Sequence, residues 1–279
     1  MAKNKLVVPF VKWVGGKRQL ISEISPLLPK RITSYCEPFL GGGAILFHAQ
    51  PTTAIVNDLN ADLITVYEII RDDVDALITA LQQHENTQEH FYTTRDLDRD
   101  KDNYLLMSKT NKAARLIYLN KTCYNGLFRV NSSGEFNTPF GYYKSPNIIN
   151  EPVLRAINKY LNASKISFYS EDFADTLNRV TKGCFVYLDP PYDPVSDTAS
   201  FTGYNKGGFD RSEQLRLKEC CDALNARGVK FLLSNSATAF IKDLYKDYHI
   251  SVVEAKRAIN SDASKRGAIE EVLIRNYGT

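Results

Sequence analysis

Apolar residues along this chain follow two rhythms. Short runs of buried-strand character, each ending in polar or glycine positions, recur at 34–40, 53–57, 165–169, 184–188, 229–233, 249–254 and 269–275. Between several of them the apolar spacing turns helical, over 43–50, 60–70, 210–226 and 237–246. Strand and helix thus alternate toward both ends of the chain, which predicts a mostly parallel α/β sheet.

The middle is different. From about 62 to 160 the helical spacing continues at 74–83, 111–122 and 152–161, separated by polar loops and without a run of core strands. The pattern predicts a discontinuous α/β domain, 1–61 and 161–279, interrupted by a helical domain at 62–160. Within that insertion, Asn120 to Lys144 interleaves Tyr124, Phe128, Phe136, Phe140, Tyr142 and Tyr143 with Asn, Gly, Lys and Arg around the turn signal Ser132-Ser133-Gly134. A hairpin or long ordered loop is expected there.

Composition narrows the class. A chain of 279 residues that is 43% hydrophobic can bury a sizeable core. No apolar run approaches the roughly 20 residues of a bilayer span, and Met1 to Lys5 do not open a secretory signal, so cytoplasmic residence is expected. Cys36, Cys123, Cys184, Cys220 and Cys221 form no Cys-x-x-Cys pair and read as reduced and mostly structural. The four histidines, His48, His84, His90 and His249, match no metal-ligand spacing, and no metal is expected.

The net charge of +3 is too small to identify a nucleic-acid binder, but its distribution is uneven. Lys3, Lys5, Lys12, Lys17, Arg18, Lys30 and Arg31 face Glu23 alone, and Asp58, Asp62, Glu68, Asp72, Asp73 and Asp75 follow. One face could meet phosphates while another stays acidic. The pairs Lys256-Arg257 and Lys265-Arg266 flank a polar loop and are given no role.

The candidate chemistry begins where Phe185-Val186-Tyr187-Leu188 stops at Asp189-Pro190-Pro191-Tyr192. A carboxylate just past the carboxyl end of a strand lies where open α/β sheets bind ligands. Two prolines fix φ and remove donors, leaving the Asp189 carboxylate and the Pro190 carbonyl as stiff acceptors for an NH2 group. Accepting both amine hydrogens would aim the nitrogen lone pair at a sulfonium methyl, and Tyr192 offers a face for an extruded base. A carboxylate near the usual value of about 4 acts there as a positioning acceptor rather than a strong base. The plain alternative is a proline-rich strand exit.

Companion segments bear on that choice. Glu37-Pro38-Phe39-Leu40-Gly41-Gly42-Gly43 runs from a strand end through three glycines into a helix, where backbone can approach a ligand. Asp58, after Ile55-Val56-Asn57, suits ribose hydroxyls or, equally, an N-cap. Asp172 and Phe173 could bond to and pack on an adenine, or cap a helix. Lys12-Trp13-Val14-Gly15-Gly16-Lys17 sets an aromatic, two glycines and two cations around a turn, usable for a nucleotide or as core plus solvated charge.

Together, Trp-x-Gly-Gly-Lys at 13–17, Glu-Pro-Phe-Leu-Gly-Gly-Gly at 37–43 and Asp-Pro-Pro-Tyr at 189–192 resemble the Dam family of DNA adenine methyltransferases. Leu119-Asn120-Lys121-Thr122-Cys123-Tyr124-Asn125-Gly126-Leu127-Phe128-Arg129 and Gly134-Glu135-Phe136-Asn137-Thr138-Pro139-Phe140-Gly141 look like that family's target-recognition hairpin, and the resemblance covers essentially the whole chain. It implies a Rossmann-like S-adenosylmethionine-dependent methyltransferase sheet with an inserted helical target-recognition domain carrying a β-hairpin at about 123–141. It also implies transfer of a methyl group from S-adenosylmethionine, giving S-adenosylhomocysteine, to adenine in double-stranded DNA at GATC, by a monomer. By the same resemblance Lys12 reads the first guanine, Arg129 the other, Leu127 and Pro139 contact thymine, and Tyr124 fills space by the flipped adenine. Arg on guanine and apolar contact with a thymine methyl agree with the chemistry of those side chains.

Asn125, Asn137 and Lys144 suit phosphate contacts, or simply a solvated loop. Two other readings keep much of this pattern: a cytosine amine or RNA as acceptor, and a DNA-binding protein with a vestigial cofactor pocket. Asp rather than Ser before Pro-Pro disfavours the cytosine acceptor, and the intact glycine and Asp-Pro-Pro-Tyr motifs disfavour the vestigial pocket.

Overall fold

The computed structural model describes residues 3–195, 208–256 and 268–278, so Arg257, Lys265 and Arg266 lie outside the described residues. Its strands are β1 (Ser34–Glu37), β2 (Thr53–Asn57), β3 (Lys165–Tyr169), β4 (Cys184–Leu188), β5 (Lys230–Ser236), β6 (His249–Lys256) and β7 (Ala268–Arg275). Its helices are α1 (Ile21–Ile24), α2 (Ala44–Ala49), α3 (Ala61–Asp72), α4 (Val74–Gln82), α5 (Gln88–Asp96), α6 (Lys101–Leu106), α7 (Lys109–Thr122), α8 (Glu151–Asn162), α9 (Phe173–Asn178), α10 (Arg211–Ala226) and α11 (Ala239–Leu244).

The chain divides into two compact units, one of Met1–Gly16, Gly41–Gln50 and Asp58–Ser170, the other of Lys17–Leu40, Pro51–Asn57 and Glu171–Thr279. The second unit carries a mixed sheet in the order β2-β1-β4-β5-β7-β6. Strands β2, β1, β4 and β5 run parallel, while β7 is antiparallel to both β5 and β6. Every residue of β4 is buried, as a central parallel strand with both faces covered requires. Val186, Leu188, Phe231, Leu233 and Ile274 pack with Leu217, Cys221 and Leu224 of α10 and with Phe173 and Leu177 of α9.

Two strand ends depart from the apolar pattern. Strand β1 stops at Glu37 rather than continuing to residue 40, because Pro38 lacks an amide donor and Leu40 N–H instead donates to the Asn57 carbonyl at 2.9 Å. Strand β5 runs past Leu233 through Ser234, Asn235 and Ser236, all buried although polar.

The first unit is helical, with α2 to α8 and the single strand β3. Its 84–110 stretch is not loop: α5 and α6 occupy most of it, with N-caps in which Thr87 Oγ accepts from His90 N–H and Asp100 Oδ from Asn103 N–H. Phe91, Tyr118, Leu119, Cys123, Phe136 and Phe140 form one buried cluster. The expected hairpin is present: Cys123 pairs with Phe140 and Val130 with Phe136 in antiparallel bridges, and Phe136 and Phe140 anchor it on α5 and α7. His84 and His90 come together, with Nδ1 and Nε2 at 2.9 Å and His84 stacked on Tyr118. Burial, and then His90, push His84 down to about 4. All five cysteines are free. Among the described residues no helix is long and apolar enough to cross a membrane, and no group of His, Cys, Asp and Glu could hold a metal ion.

Candidate active site

In the second unit, Asp189 follows the buried end of β4 and its carboxylate is held on two sides. Ser234 Oγ donates to Oδ1 at 3.0 Å, and the Lys17 ammonium lies 2.8 Å from the same oxygen. Lys17 is itself buried and also sits over the Tyr192 ring, 4.7 Å from its centroid. Burial raises the Asp189 pKa above the usual carboxylate value, against the opposing effects of Lys17 first and Ser234 second. The carboxylate therefore lies above the ordinary value expected from sequence and gains a proton more readily than a solvated one.

The rest of the loop is fixed in the same way. Tyr192 O–H donates to Glu271 Oε2 at 2.7 Å, and burial pushes the phenol well above its usual value. Tyr187 Oη and Ser234 Oγ lie 3.0 Å apart, linking β4 to β5 beneath the carboxylate. Gln214 donates to the Pro191 carbonyl at 2.8 Å. Asp193, buried, accepts from Arg211 and Thr238 through its carboxylate, while its N–H donates to Asn235 Oδ1 and its carbonyl accepts from Ser236.

The acidic and aromatic residues expected near a cofactor are less open. Glu37 is buried and accepts from Tyr35 O–H at 2.7 Å, and the Pro38 carbonyl accepts from Asn57 Nδ2 at 3.0 Å. Phe39, Phe173 and Phe209 form a three-ring cluster with centroids 5.4 to 5.8 Å apart. Asp172 both caps α9, accepting from Ala174 N–H, and makes a two-pronged pair with Arg216 at 2.7 Å. That pairing holds the Asp172 carboxyl below its usual range, and the Arg216 guanidinium lies over the Phe173 ring.

In the first unit the glycines at 41–43 meet protein rather than open space. A side chain on Gly41, whose φ is +49°, would come within 2.8 Å of Trp13 Cδ1; one on Gly43, at φ +68°, within 2.6 Å of Tyr67 Oη. A side chain on Gly42 would lie 3.4 Å from Trp13 Cβ. Asp58 does not cap α3, a role taken by Asn60; it accepts instead from the Gly41 and Asn60 amides at 2.8 and 2.9 Å. Burial raises its pKa against those two bonds.

Gly15 takes a positive φ in the turn that Gly16 N–H closes on the Trp13 carbonyl at 3.1 Å. Trp13 stacks on Phe128 at 4.9 Å. Buried Asn120 binds both the N–H and the carbonyl of Lys12 and also the Gly126 carbonyl, tying the N-terminal segment to the hairpin.

Along the hairpin, Lys12, Tyr124, Arg129, Pro139 and Lys144 are exposed, and Asn125, Leu127 and Asn137 are half-buried. Tyr124 N–H donates to the Pro139 carbonyl at 2.8 Å, and Asn125 sits at φ +58°. Arg129 Nε donates to Asn137 Oδ1 at 2.8 Å, so that Asn137 steadies the arginine.

Sequence reasoning passed over Ser234, Asn235, Gln214 and Glu271, which build the walls of the Asp189 loop. One local signal existed for the first two: a polar triplet continuing an apolar strand. Gln214 and Glu271 carry no such mark.

A sheet with a carboxylate pinned beyond its β4 end, joined in the same chain to a helical unit whose hairpin exposes Tyr124 and Arg129, suits an enzyme acting on nucleic acid. The chain belongs to the D12 class N6 adenine-specific DNA methyltransferase family, whose profile matches residues 13–259. It is thus an adenine-specific DNA methyltransferase. It is 41% identical to the Type II methyltransferase M1.LlaDCHI of Lactococcus lactis subsp. cremoris over 281 residues, spanning 100% of this chain and 99% of that one. The Type II methyltransferase M.MjaIII of Methanocaldococcus jannaschii is 41% identical over 97% of this chain and 99% of its own. The DNA adenine methylase of Escherichia coli is 34% identical over 98% of this chain and 95% of its own.

Proposed function

We propose that this enzyme transfers a methyl group from S-adenosylmethionine to the exocyclic 6-amino group of adenine within GATC in double-stranded DNA, after extruding the base from the helix. The observation that carries the chemistry is the Asp189 carboxylate, fixed at the end of β4 by Ser234 and Lys17. The side chains suit the cofactor: Glu37 and Asp58 are carboxylates for hydroxyl or amino groups, and half-buried Phe39, backed by buried Phe173, has a ring suited to a purine. Trp13, Gly15, Gly16, Lys17, Pro38, Gly41, Gly42, Gly43 and Asp172 complete the proposed cofactor set.

S-adenosylmethionine, when bound, would supply an electrophilic sulfonium methyl. Asp189 and the Pro190 carbonyl would accept the two amine hydrogens and so turn the nitrogen lone pair out of the purine ring system toward that methyl. The C–N bond would form as the C–S bond breaks, sulfur would depart as the neutral thioether of S-adenosylhomocysteine, and the proton of the cationic methylated amine would pass to the Asp189 carboxylate and from there to solvent. Acceptance needs Asp189 ionised, so its raised pKa places the loss of activity at higher pH than an ordinary carboxylate would.

The segment 62–160 is proposed as the DNA-reading domain. Arg129, with two donors for the guanine edge, and Leu127 and Pro139, for the thymine methyl, read the site from the hairpin; Lys12 reads the other guanine and Tyr124 supports the extruded base. Asn125 and Lys144 hold phosphates, and Asn137 acts through Arg129. Plasmid treated with enzyme and S-adenosylmethionine is expected to become resistant to endonucleases blocked by adenine methylation at GATC and to remain open to those indifferent to it. Unchanged digestion would overturn the GATC assignment.

A further inference from the structure

The two prolines of the catalytic loop leave it without the amide donors at 190 and 191 that would otherwise tie its backbone together. Among the outside ties on the loop is a pair of buried amides. Gln214, fully buried in α10, donates through Nε2 to the Pro191 carbonyl at 2.8 Å. Its Oε1 accepts from Nδ2 of Asn235, also fully buried, on β5 at 3.0 Å, and Asn235 Oδ1 accepts from the Asp193 N–H at 3.1 Å. A carbonyl can only accept and a backbone N–H can only donate, so both ends of this chain of bonds fix which way each amide points.

The result is a bracket around a single residue. The Pro191 carbonyl belongs to the peptide preceding Tyr192, and the Asp193 N–H to the peptide following it. Gln214 and Asn235 therefore hold the peptide planes on both sides of Tyr192. Arg211, one turn earlier in α10, grips the Asp193 carboxylate at 3.0 Å and keeps the helix against the loop. The Pro191 carbonyl is committed to Gln214, which leaves Pro190 to supply the backbone acceptor beside Asp189.

We propose that Gln214, locked by Asn235, is a positioning residue for methyl transfer: it fixes the peptide planes about Tyr192 and thereby aims the Pro190 carbonyl that shares the target amine with Asp189. This rests on the assignment of Asp189 and Pro190 as the amine acceptors. A glutamine bonded to the loop backbone thus acts on the rate of the chemical step, where displacements of about 1 Å are worth about 100-fold.

Gln214→Met and Gln214→Glu test it in the full-length enzyme. Met keeps the length of the side chain and removes the donor. Glu keeps an acceptor for Asn235, and when ionised sets a negative charge against the Pro191 carbonyl; when protonated it regains an O–H to donate. Single-turnover methylation of a GATC duplex preloaded with S-adenosylmethionine is expected to slow by about 10- to 100-fold in both variants at neutral pH. Affinities for duplex and cofactor should stay within about twofold of wild type, the signature of a loss confined to the chemical step.

The ratio of the Gln214→Glu rate to the wild-type rate should rise as pH falls. Taking the ratio cancels the titration of the neighbouring Asp189 with Lys17, Asp193 with Arg211, and Tyr192 with Glu271, which both proteins share. Rates of both variants within about twofold of wild type would overturn the proposal. So would rates that fall only in step with melting temperature and ligand affinity, with no recovery of Gln214→Glu at low pH. A wild-type enzyme that methylates no duplex would overturn the proposed function itself and this inference with it, a result distinguishable because it needs no variant.

Discussion

The loop at 189–193 and the hairpin at 123–141 are held by opposite means. Among the described residues the loop has almost no backbone pairing of its own, and side chains from Lys17, Gln214, Ser234, Asn235, Thr238 and Glu271 converge on it from distant points of the sequence. The hairpin is closed by its own backbone, with antiparallel bridges at Cys123 and Phe140 and at Val130 and Phe136, and it turns Tyr124, Arg129 and Pro139 outward. A reaction centre that must meet one functional group in one geometry needs acceptors fixed by buried partners. A reading surface needs a stable backbone and side chains that remain available, because its partner is defined by an edge pattern rather than a reacting atom.

Breaking the loop should have the largest effect and should be blind to DNA sequence. Asp189→Ala is expected to lower single-turnover methyl transfer by about 100- to 1,000-fold on every duplex alike. A variant that lost activity on some sequences only would erase the division of labour between the two regions. Arg129→Ala should do the converse, lowering kcat/KM on the cognate duplex relative to one altered at a single guanine, since one bidentate contact is worth about 1–3 kcal/mol of discrimination.

Lys17→Met should matter less near neutrality and more in acid. With its strongest downward influence removed, Asp189 is left to burial and its pKa rises further. In the proposed mechanism the ionised form is the working one, so activity would be lost as pH falls through that pKa, and the acid limb of the pH–rate profile should move to higher pH. An unmoved limb would assign the titration to another group. The smallest change is expected from Asn137→Ala, which removes one exposed hydrogen bond from Arg129, worth about 0.5–1.5 kcal/mol. Its loss of discrimination should fall at the same base as that of Arg129→Ala and should vanish in the double variant.

How far the sequence foretold each region follows from how each is held. The loop itself was legible because four consecutive residues at the end of an apolar run announce a strand exit with acceptors. Its supports were not, since Gln214 and Glu271 are ordinary polar residues until the fold brings α10 and β7 to the loop. The apolar pattern stops at Leu233 because burial of the polar tail of β5 depends on partners far along the chain, 45 residues away for Ser234 with Asp189 and 21 for Asn235 with Gln214. The hairpin was legible because its turn, aromatics and glycines are contiguous. Helices α5 and α6 were missed for a related reason: with Phe91 as the buried apolar anchor of α5 and no buried residue in α6, they offer little periodicity. Asp58 was placed as a ribose ligand or a cap, and neither reading foresaw that its carboxylate would accept from the Gly41 amide.

Trp13 is the only tryptophan in the chain, and its ring lies against Phe128 of the hairpin. The indole emission of the protein therefore originates at a single point beside the segment proposed to read DNA, free of signal from elsewhere. Any event that shifts Phe128, docking of a duplex included, is written into that emission without a label attached, so the protein carries its own optical gauge of the hairpin.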